Sequence, residues 1–285
     1  MMDLSIVIIN YNTKNMTENL IKSIINKTKN ISYEIIVVDN SSLDSEKINL
    51  DFEKQKNIKI VFEKNNGFGA ACNCGAEIAS GDLLLFINSD VIFENDVISP
   101  CVEYINLNHD VGVLGCKLIL RDGSLDHGCK RGFPTPQASL YYYLKLDKKY
   151  PDSKKYGAYR LTYLNNNEIN EVDAVSGAFL MIKNNVFKKI NGFDETFFMY
   201  GEDLDLCFRV KQNKYKIIYF PDVVVTHLKG QSGLSTKNKF VIYNFYKAMI
   251  IFYNKHYKKK YNILISWLVY LAVWGKYIFD LLKLK

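Results

Sequence analysis

Residues 82–90 read DLLLFINSD, in which five consecutive apolar side chains are followed by Asn88, Ser89 and Asp90. A short, continuous apolar run of this kind is typical of a strand that is buried on both faces of a parallel sheet. Asparagine and aspartate favour turns, so the polar triplet is compatible with an ordinary strand end. An aspartate at the carboxyl edge of a parallel sheet is also well placed to hold a charged ligand.

Three further apolar runs precede this strand. The segment between the first two has apolar residues at helical spacing, and the segment before residue 82 is rich in small, helix-forming residues. Repeated strand–helix–strand order predicts right-handed crossovers and a Rossmann-like, mostly parallel sheet flanked by helices, which is an α/β fold. The predicted strands are 4–9 (LSIVII), 33–39 (YEIIVVD), 58–63 (IKIVFE) and 82–88 (DLLLFIN).

Polar side chains follow each of the four predicted strands. A turn or a helix cap explains each group when it is taken alone. Because the carboxyl ends of parallel strands meet at one edge of the sheet, where open α/β folds bind ligands, the four groups together favour a ligand site. The groups are Asn10-Tyr11-Asn12, Asp39-Asn40, Asn65-Asn66 with the nearby Gly67 and Gly69, and Asn88-Ser89-Asp90.

The motifs narrow the class of ligand. The first strand is not followed by GxGxxG, which argues against a dinucleotide site, and no GxxxxGK[ST] sequence occurs, which excludes a P-loop. Asp90 offers hard oxygen ligands, which suit Mg²⁺ or Mn²⁺ shared with phosphate oxygens. Cys72 and Cys74 have the wrong spacing for a zinc site, and no CxxC pair occurs.

The cysteines and the first residues bear on the compartment. Six cysteines occur in a large, lysine-rich chain that opens with MMDLSIVIINYN, which has no basic region before its apolar run. That opening is typical of a first strand and not of an export signal. We therefore expect reduced thiols and a cytoplasmic location.

The pattern changes after about residue 116. Residues 117–128 indicate a hairpin, 130–170 are irregular and rich in tyrosine, and regular structure is expected again over 172–182 (VDAVSGAFLMI). The sequence thus predicts a catalytic domain over 1–236. Within it, a nucleotide-binding half covers 1–116 and an acceptor-side half covers 117–236.

The C-terminal segment 237–285 differs in charge from the rest of the chain. It holds ten lysines and one aspartate, a net charge of +9, which leaves 27 basic and 29 acidic side chains in the first 236 residues. A near-neutral body argues against a nucleic-acid partner, and a cationic, aromatic tail favours an anionic membrane surface. Residues 263–275 lack charge but are shorter than the roughly 20 residues that span a bilayer, so we expect surface contact. An oligomer interface or a helical cap on the catalytic domain is the alternative.

Seven segments form a longer pattern between residues 4 and 232. They are SIVIINYN, YEIIVVDNSSLD, NNGFGAACNCG, GDLLLFINSD, VSGAFLMIKNNVF, INGFDETFFMYGEDLDLCFRV and VVVTHLKGQS. In order and spacing they resemble glycosyltransferase family 2, and within it the bacterial rhamnosyltransferase-like branch. The resemblance implies a GT-A fold, and a nucleoside diphosphate sugar, dTDP- or UDP-linked, as the donor.

The resemblance also implies residue roles in donor binding. Asp39 would accept a hydrogen bond from the pyrimidine base. Asn88, Ser89 and Asp90 occupy the place of the DxD motif of the family, with asparagine in place of its first aspartate. Asp90 and His227 would contact a divalent metal, whereas the alternative for His227 is a structural hydrogen bond at a strand end. The remaining residues expected to bind the donor are Tyr11, Asn12, Asn65, Gly67 and Asn73.

Glu202 and Asp203 correspond to a carboxylate pair of the family in which the aspartate is the catalytic base. Inverting transfer needs one base to deprotonate the acceptor hydroxyl and a cation to offset charge on the departing diphosphate. The same residues are also explained as the acidic first turn of a helix whose buried face includes Leu204, Cys207 and Phe208.

The sequence therefore predicts an inverting glycosyltransferase that moves a sugar, with L-rhamnose as the first candidate. The acceptor would be a saccharide or a lipid-linked saccharide of a bacterial surface polysaccharide. Two other functions stay open at this point: a sugar nucleotidyltransferase, and a catalytically degenerate subunit that binds a sugar nucleotide. The first would need a glycine-rich, basic loop after the first strand, where the chain has NYNTKN.

Overall fold

A computed structural model describes residues 2–230 and 238–284 of the chain. The strands of this part are β1 (Met2–Asn10), β2 (Tyr33–Asp39), β3 (Ile58–Phe62), β4 (Gly81–Asn88), β5 (Val91–Ile92), β6 (Val111–Ile119), β7 (Asn170–Glu171), β8 (Phe179–Lys183) and β9 (Lys216–His227). They form one mixed sheet in the order β3-β2-β1-β4-β8-β6-β9-β5, and β7 pairs with β9. The predicted α/β class is confirmed.

Helices cover both faces of the sheet and form the C-terminal segment. They are α1 (Lys14–Lys27), α2 (Phe68–Glu77), α3 (Ser99–Leu107), α4 (Pro136–Tyr143), α5 (Leu146–Lys149), α6 (Asn184–Lys189), α7 (Glu202–Gln212), α8 (Lys239–His256) and α9 (Ile263–Leu282). The buried side of α1 is made by Leu20, Ile21 and Ile24, at the spacing that predicts it.

The four N-terminal strands of the sheet run parallel, as their apolar sequences predict. β1 lies between β2 and β4, and β2 also pairs with β3. Most side chains of β1, β2 and β4 are buried, because helices cover both faces of this part of the sheet.

The second half of the sheet is mixed. β8 runs antiparallel to both β4 and β6, whereas β9 runs parallel to β6. Within 172–182 the strand begins only at Phe179, because the backbone of residues 174–178 turns away to contact side chains that are described below. The short strand β5 pairs with the end of β9, with Val91 opposite His227.

The C-terminal helices differ in how they contact the rest of the protein. α8 places Ala248, Phe252 and Tyr253 in the main hydrophobic core. α9 packs along α8, and its other side is exposed. The predicted boundary between residues 236 and 237 lies outside the described residues.

Candidate active site

The strand register brings the predicted polar groups to one edge of the sheet. Asn10 pairs with Asp39 across β1 and β2, and Ile9 pairs with Asn88 across β1 and β4. Phe62, the last residue of β3, lies opposite Asp39. The polar residues that follow these four strands are therefore neighbours at the carboxyl edge, where open α/β sheets bind ligands.

Asp39 is buried at this edge and organises the backbone around it. One carboxylate oxygen accepts hydrogen bonds from Asn10 Nδ2 (2.9 Å) and the amide of Ile48 (2.7 Å), and the other accepts one from the amide of Ser41 (2.9 Å). The carboxylate also lines a cavity of about 330 Å³ whose other lining residues include Lys47, Phe62, Glu63 and Lys64. This cavity is large enough for one ring of a ligand beside Asp39.

Asn12 joins the loop after β1 to the loop after β2, and the second of these loops borders the cavity. Its backbone has φ = 54°, and its side-chain oxygen accepts hydrogen bonds from the amides of Ser42 and Leu43. Its side-chain nitrogen donates to Ser42 Oγ at 2.9 Å. The neighbouring Tyr11 is partly exposed. Asn12 therefore shapes the loop, and Tyr11 has surface that a ligand can contact.

Asn65 and Gly67 form a tight connection between β3 and α2. The Asn65 side chain accepts a hydrogen bond from the amide of Gly67 at 3.1 Å. Gly67 has φ = 104°, and a Cβ atom there would lie 2.4 Å from the carbonyl oxygen of Phe198. The glycine is therefore required for the close approach of this loop to the segment before α7.

The structure places Asn73 away from these groups, in the middle of α2. Both hydrogens of its side-chain amide are used, in bonds to the carbonyl of Phe193 and to Glu195 Oε1, each at 2.9 Å. Its side-chain oxygen accepts a hydrogen bond from the amide of Phe193. Asn73 thus ties α2 to the 193–195 segment, and it has no free donor for a sugar nucleotide.

Asp90 and His227 lie side by side because β5 pairs with the end of β9. The distance from Asp90 Oδ1 to His227 Nε2 is 3.4 Å, and both side chains are buried. Asp90 Oδ1 is inaccessible to solvent, and among the described residues it makes this ion-pair contact with His227 but no hydrogen bond of normal geometry. Ser89, the preceding residue, shares a hydrogen bond with Thr13 at 3.0 Å.

The other ring nitrogen of His227 is held by Asp126, a residue that the sequence analysis did not select. Asp126 Oδ2 lies 2.9 Å from His227 Nδ1, and Lys229 Nζ lies 2.9 Å from Asp126 Oδ1. Burial alone would raise the pKa of Asp126, but hydrogen bonds from His227, Lys229 and the amide of Gly128 hold it well below its usual value. Burial lowers the pKa of His227, but the two carboxylates outweigh it and raise the pKa to about 9.

These groups fit a divalent cation that takes its other ligands from a substrate. Among the described residues, no set of three or more histidine, cysteine or acidic side chains could hold a metal ion alone. A cation shared with diphosphate oxygens and water needs only one or two protein ligands. The buried oxygen of Asp90 and the Nε2 atom of His227 meet this requirement once the cation displaces the proton of the imidazole, and Asp126 orients the ring as carboxylates commonly do at metal sites.

Asp203 lies at the start of α7, and three donors fix its carboxylate. Oδ2 accepts hydrogen bonds from Arg131 at 2.6 Å and from the amide of Gly177 at 3.1 Å, and Oδ1 accepts one from the amide of Leu204 at 2.7 Å. Burial alone would lower the pKa of Arg131, but the charge of Asp203 raises it. Arg131 is therefore a permanent cation next to this carboxylate.

Glu202 has a different environment from its neighbour Asp203. Its Oε2 atom is buried and has no hydrogen-bond partner among the described residues. Burial and the adjacent charge of Asp203 raise the pKa of Glu202 to about 8. At neutral pH Glu202 is therefore mainly protonated, whereas a general base must be ionised.

The 174–178 segment connects the two sets of polar groups. Gly177 donates its amide to Asp203, and the carbonyl of the next residue, Ala178, accepts a hydrogen bond from the amide of Asn88 at 3.1 Å. Arg131 also donates to the carbonyl of Val175 at 2.8 Å. Through these hydrogen bonds, the consecutive residues Gly177 and Ala178 connect the start of α7 to the Asn88-Ser89-Asp90 segment.

Two solved structures share this fold. The crystal structure of GalNAc-T7 with UDP, GalNAc and Mn²⁺ matches with a TM-score of 0.63 and 17% identity, over 88% of this chain and 48% of that chain. The structure of Staphylococcus aureus TarS 1–349 in complex with UDP matches with a TM-score of 0.52 and 16% identity, over 87% of this chain and 66% of that chain. The fold is therefore of the GT-A type, the class to which these transferases belong.

The family follows from the sequence match. The family described as "Glycosyl transferase family 2" matches residues 5–190, and "N-terminal domain of galactosyltransferase" matches residues 164–229. The chain belongs to glycosyltransferase family 2. The predictions of this family and of a glycosyltransferase enzyme are confirmed, and neither the nucleotidyltransferase nor the non-enzymatic alternative gains support.

Three curated relatives indicate the branch of the family. Rhamnosyltransferase WbbL of Escherichia coli (strain K12) is 26% identical over 56% of this chain and 58% of its own length. The N-acetylglucosaminyl-diphospho-decaprenol L-rhamnosyltransferase of Mycobacterium tuberculosis is 25% identical over 70% of this chain and 67% of its own length. O-antigen biosynthesis protein RfbC of Myxococcus xanthus is 25% identical, and the match spans 16% of that protein. The chain is thus rhamnosyltransferase-like.

Proposed function

We propose that this glycosyltransferase moves a sugar, with L-rhamnose as the first candidate, from a dTDP- or UDP-linked donor with inversion at the anomeric carbon. The acceptor is a saccharide or a lipid-linked saccharide used for bacterial surface polysaccharide, and the enzyme acts in the cytoplasm at the inner face of the membrane. The names of the rhamnosyltransferase relatives support the sugar and the lipid-linked acceptor. The cationic C-terminal segment supports contact with an anionic membrane surface.

One observation carries the donor assignment: Asp90 Oδ1 is buried 3.4 Å from His227 Nε2 and forms no hydrogen bond of normal geometry with the described residues. A buried carboxylate oxygen without a hydrogen bond is costly, and a bound cation offsets that cost. We assign Asp90 and His227 to a site for Mg²⁺ or Mn²⁺. When bound, the cation would offset the negative charge that develops on the leaving diphosphate.

The other residues have roles that follow from their positions. Asp39 and the adjoining cavity bind the pyrimidine base, with Tyr11, Asn12, Asn65 and Gly67 shaping the surrounding loops. Asp203 accepts the proton of the attacking acceptor hydroxyl, and Arg131 and the amide of Gly177 hold its carboxylate in place. Glu202, which is mainly protonated near pH 7, donates or accepts a hydrogen bond that orients the acceptor or Asp203.

A thermal-shift panel tests the donor assignment. The purified protein is heated with dTDP-L-rhamnose, dTDP-glucose, UDP-glucose, UDP-N-acetylglucosamine and GDP-mannose, each with Mn²⁺ and with EDTA. A ligand that binds only the folded state raises the melting midpoint, because it adds a free energy of unfolding that grows with the logarithm of its excess over Kd, about 2.7 kcal/mol at 100 times Kd. We expect a shift with dTDP- or UDP-sugars that requires Mn²⁺, and no shift with GDP-mannose.

Transfer and stereochemistry are tested with the donor that binds. N-acetylglucosamine linked to a polyprenyl diphosphate serves as the acceptor, and NMR assigns the anomeric configuration of the product. Retention of configuration would overturn the inverting mechanism. A donor shift that is equal in Mn²⁺ and EDTA would overturn the metal assignment and leave the family unaffected.

A further inference from the structure

One face of α9 is apolar and has no partner among the described residues. Seven large apolar side chains recur at helical spacing on it, each between 51% and 70% exposed. Gly275 lies between them on the same face. The seven are Leu264, Trp267, Leu268, Leu271, Ile278, Phe279 and Leu282, which we call the outer face of α9.

The opposite side of α9 is attached to α8 along its whole length. Near its beginning, Ser266 Oγ lies 2.8 Å from the hydroxyl of Tyr253, and the hydroxyl of Tyr270 donates to Asn254 Oδ1 at 2.6 Å. Near its end, Asp280 accepts a hydrogen bond from the hydroxyl of Tyr246 at 2.5 Å. The two helices therefore lie side by side from one end of α9 to the other.

α8 in turn is fixed to the catalytic domain. Its residues Phe252 and Tyr253 are buried in the main core. His256 Nε2 lies 2.7 Å from the fully buried carboxylate of Asp205 in α7, and Lys255 Nζ lies 2.7 Å from the same oxygen. The direction of α9 is thus set by a helix that belongs to the globular body.

Length and composition alone would allow α9 to cross a membrane, since it has 20 mostly apolar residues. Crossing would carry it away from α8 and break the hydrogen bonds at both of its ends, so that the hydroxyl of Tyr246 would lose its partner and the Lys276–Asp280 ion pair would enter the bilayer with the helix. A helix that lies in the plane of the membrane surface keeps these contacts and buries only its outer face.

Positive charges border the outer face. Lys258, Lys259 and Lys260 are exposed in the turn that leads into α9. Lys276 lies on the helix, where it pairs with Asp280, and Lys283 directly follows the last helical residue. Lysine side chains reach from an apolar surface into the headgroup region, where they attract anionic lipids. This arrangement favours an anionic lipid surface, because residues 237–285 hold ten lysines and one aspartate, and an apolar face with tryptophan and leucine bordered by lysine is typical of helices that lie on membranes.

We infer that α9 is an in-plane membrane helix, whose outer face enters the headgroup–acyl boundary of an anionic bilayer while its inner face stays on α8. This inference deepens the proposed membrane association and rests on it. It does not depend on the identity of the donor or the acceptor.

The two tryptophans of the chain provide the test, because both lie on α9. Trp267 is on the outer face, and Trp274 packs against Tyr243 and Tyr277 on the inner side. W274F leaves Trp267 as the single reporter, and W267F leaves Trp274. With vesicles of phosphatidylcholine and phosphatidylglycerol (about 7:3), we expect a blue shift and strong quenching by brominated lipid for Trp267, and weak quenching for Trp274.

Depth separates the in-plane from the spanning arrangement. Two triple variants, W267F/W274F/L264W and W267F/W274F/L271W, each place a single tryptophan on the outer face, one near the start of α9 and one near its middle, about 10 Å apart at 1.5 Å per residue. Lipids brominated at different carbons report the depth of each tryptophan. Equal, shallow depths at 264 and 271 support the inference, and a tryptophan at 271 that lies more than about 5 Å deeper than one at 264 overturns it in favour of a spanning helix.

Charged substitutions on the outer face test whether this face binds the membrane. The double variant Leu268→Asp and Leu271→Asp should lower partitioning to the anionic vesicles at least tenfold. Leu107→Asp, at an exposed leucine that ends α3, should leave it unchanged. If the double variant instead converts a dimer into a monomer in light scattering, with vesicle binding unaltered, the outer face is an interface between copies and the inference is wrong. Donor thermal shifts of the same variants should equal the wild type, which separates this result from a failure of the proposed transferase activity.

Discussion

Asp90 has a buried carboxylate oxygen that forms no hydrogen bond of normal geometry with the described residues. Removal of the charge of Asp90 tests whether this oxygen is a metal ligand. Asp90→Asn is nearly isosteric, so the fold should persist. The donor-induced thermal shift should lose its dependence on Mn²⁺, because a neutral amide is a poor ligand for a hard cation. Asp82→Asn, at the exposed opposite end of the same strand, is the matched control and should keep the dependence. If Mn²⁺ still raises donor affinity in Asp90→Asn, the metal lies elsewhere.

Asp203 and Glu202 are neighbours for which we predict different outcomes. Asp203→Asn should keep donor binding and slow transfer by roughly 10²–10⁴-fold, the usual contribution of a general base. Glu202→Gln should cost less, because Glu202 is mainly protonated near neutral pH. The measurement is release of nucleoside diphosphate in the presence of acceptor. Near-normal turnover in Asp203→Asn together with an inactive Glu202→Gln would show that the base is the other carboxylate.

The raised pKa of Glu202 also predicts a pH dependence of stability. Unfolded glutamate ionises near 4.5, whereas folded Glu202 does so near pH 8, because burial and Asp203 oppose its charge. Between these values the folded state holds a proton that the unfolded state has lost, so stability falls as pH rises through this window. Glu202→Gln removes the titrating group, and with it this contribution to the pH dependence of stability. The melting temperature of the variant minus that of the wild type should therefore increase from pH 5 to pH 8.5, and a constant difference would contradict the assignment.

Several residues of the site were predictable from the sequence, and others were not. Asp39 and Asn88 end apolar strands, and Asp90 follows two residues after the second of them. Because the apolar runs predict parallel strands, the sequence places these residues at one edge of the sheet. Arg131 and Asp126 have no such signal, because irregular backbone brings them to Asp203 and His227 across 72 and 101 residues. Only their position in the charged segment DHGCKR, within a region with little other pattern, could have drawn attention to them.

α7 is the element through which the catalytic pair and the C-terminal helices are connected. Its first two residues are Glu202 and Asp203, and two residues later the buried Asp205 accepts bonds from Arg209 Nε, Lys255 Nζ and His256 Nε2, each at 2.7 Å. Asp205 is thus already surrounded by partners from α7 and α8. Asp203 also accepts three hydrogen bonds, but it is 9% exposed whereas Asp205 is fully buried, so an acceptor hydroxyl can reach Asp203 and not Asp205. Asp205 is therefore a poor candidate for the base, although the sequence places three carboxylates within four residues.

Neutralisation of Asp205 should destabilise the protein. Asp205→Asn leaves two or three donors around a buried amide, and the loss of one partner of a buried ion pair costs about 3–5 kcal/mol. Chemical denaturation measures the free energy of unfolding. Asp222→Asn, at an exposed position of β9, is the control and should stay within about 0.5 kcal/mol of the wild type. A small effect at Asp205 would mean that its contacts with α8 do not form in solution.

The whole molecule combines a catalytic sheet with a helical pair that the sequence describes as a tail. The charge of residues 237–285 and the apolar run over 263–275 predicted a membrane-associating segment but could not show where α8 packs. The reason is that α8 has apolar and aromatic residues on several sides, so its pattern fits a membrane surface, an interface and a core equally. Tertiary contact decides among them, and Ala248, Phe252 and Tyr253 lie in the same core as the sheet.

The two C-terminal helices should therefore differ in what they contribute to stability. Phe252→Ala in α8 removes a ring that is 3% exposed and contacts Phe208 and His256, so it should lower the free energy of unfolding by about 3–5 kcal/mol. Leu268→Ala in α9 removes a side chain that is 65% exposed and should change it by less than about 0.5 kcal/mol in the absence of lipid. Urea denaturation followed by circular dichroism compares the two. Equal, small effects would mean that α8 is detached from the catalytic domain in solution. The expected difference would mean that α8 is part of the folded enzyme and that the membrane-facing surface is confined to α9.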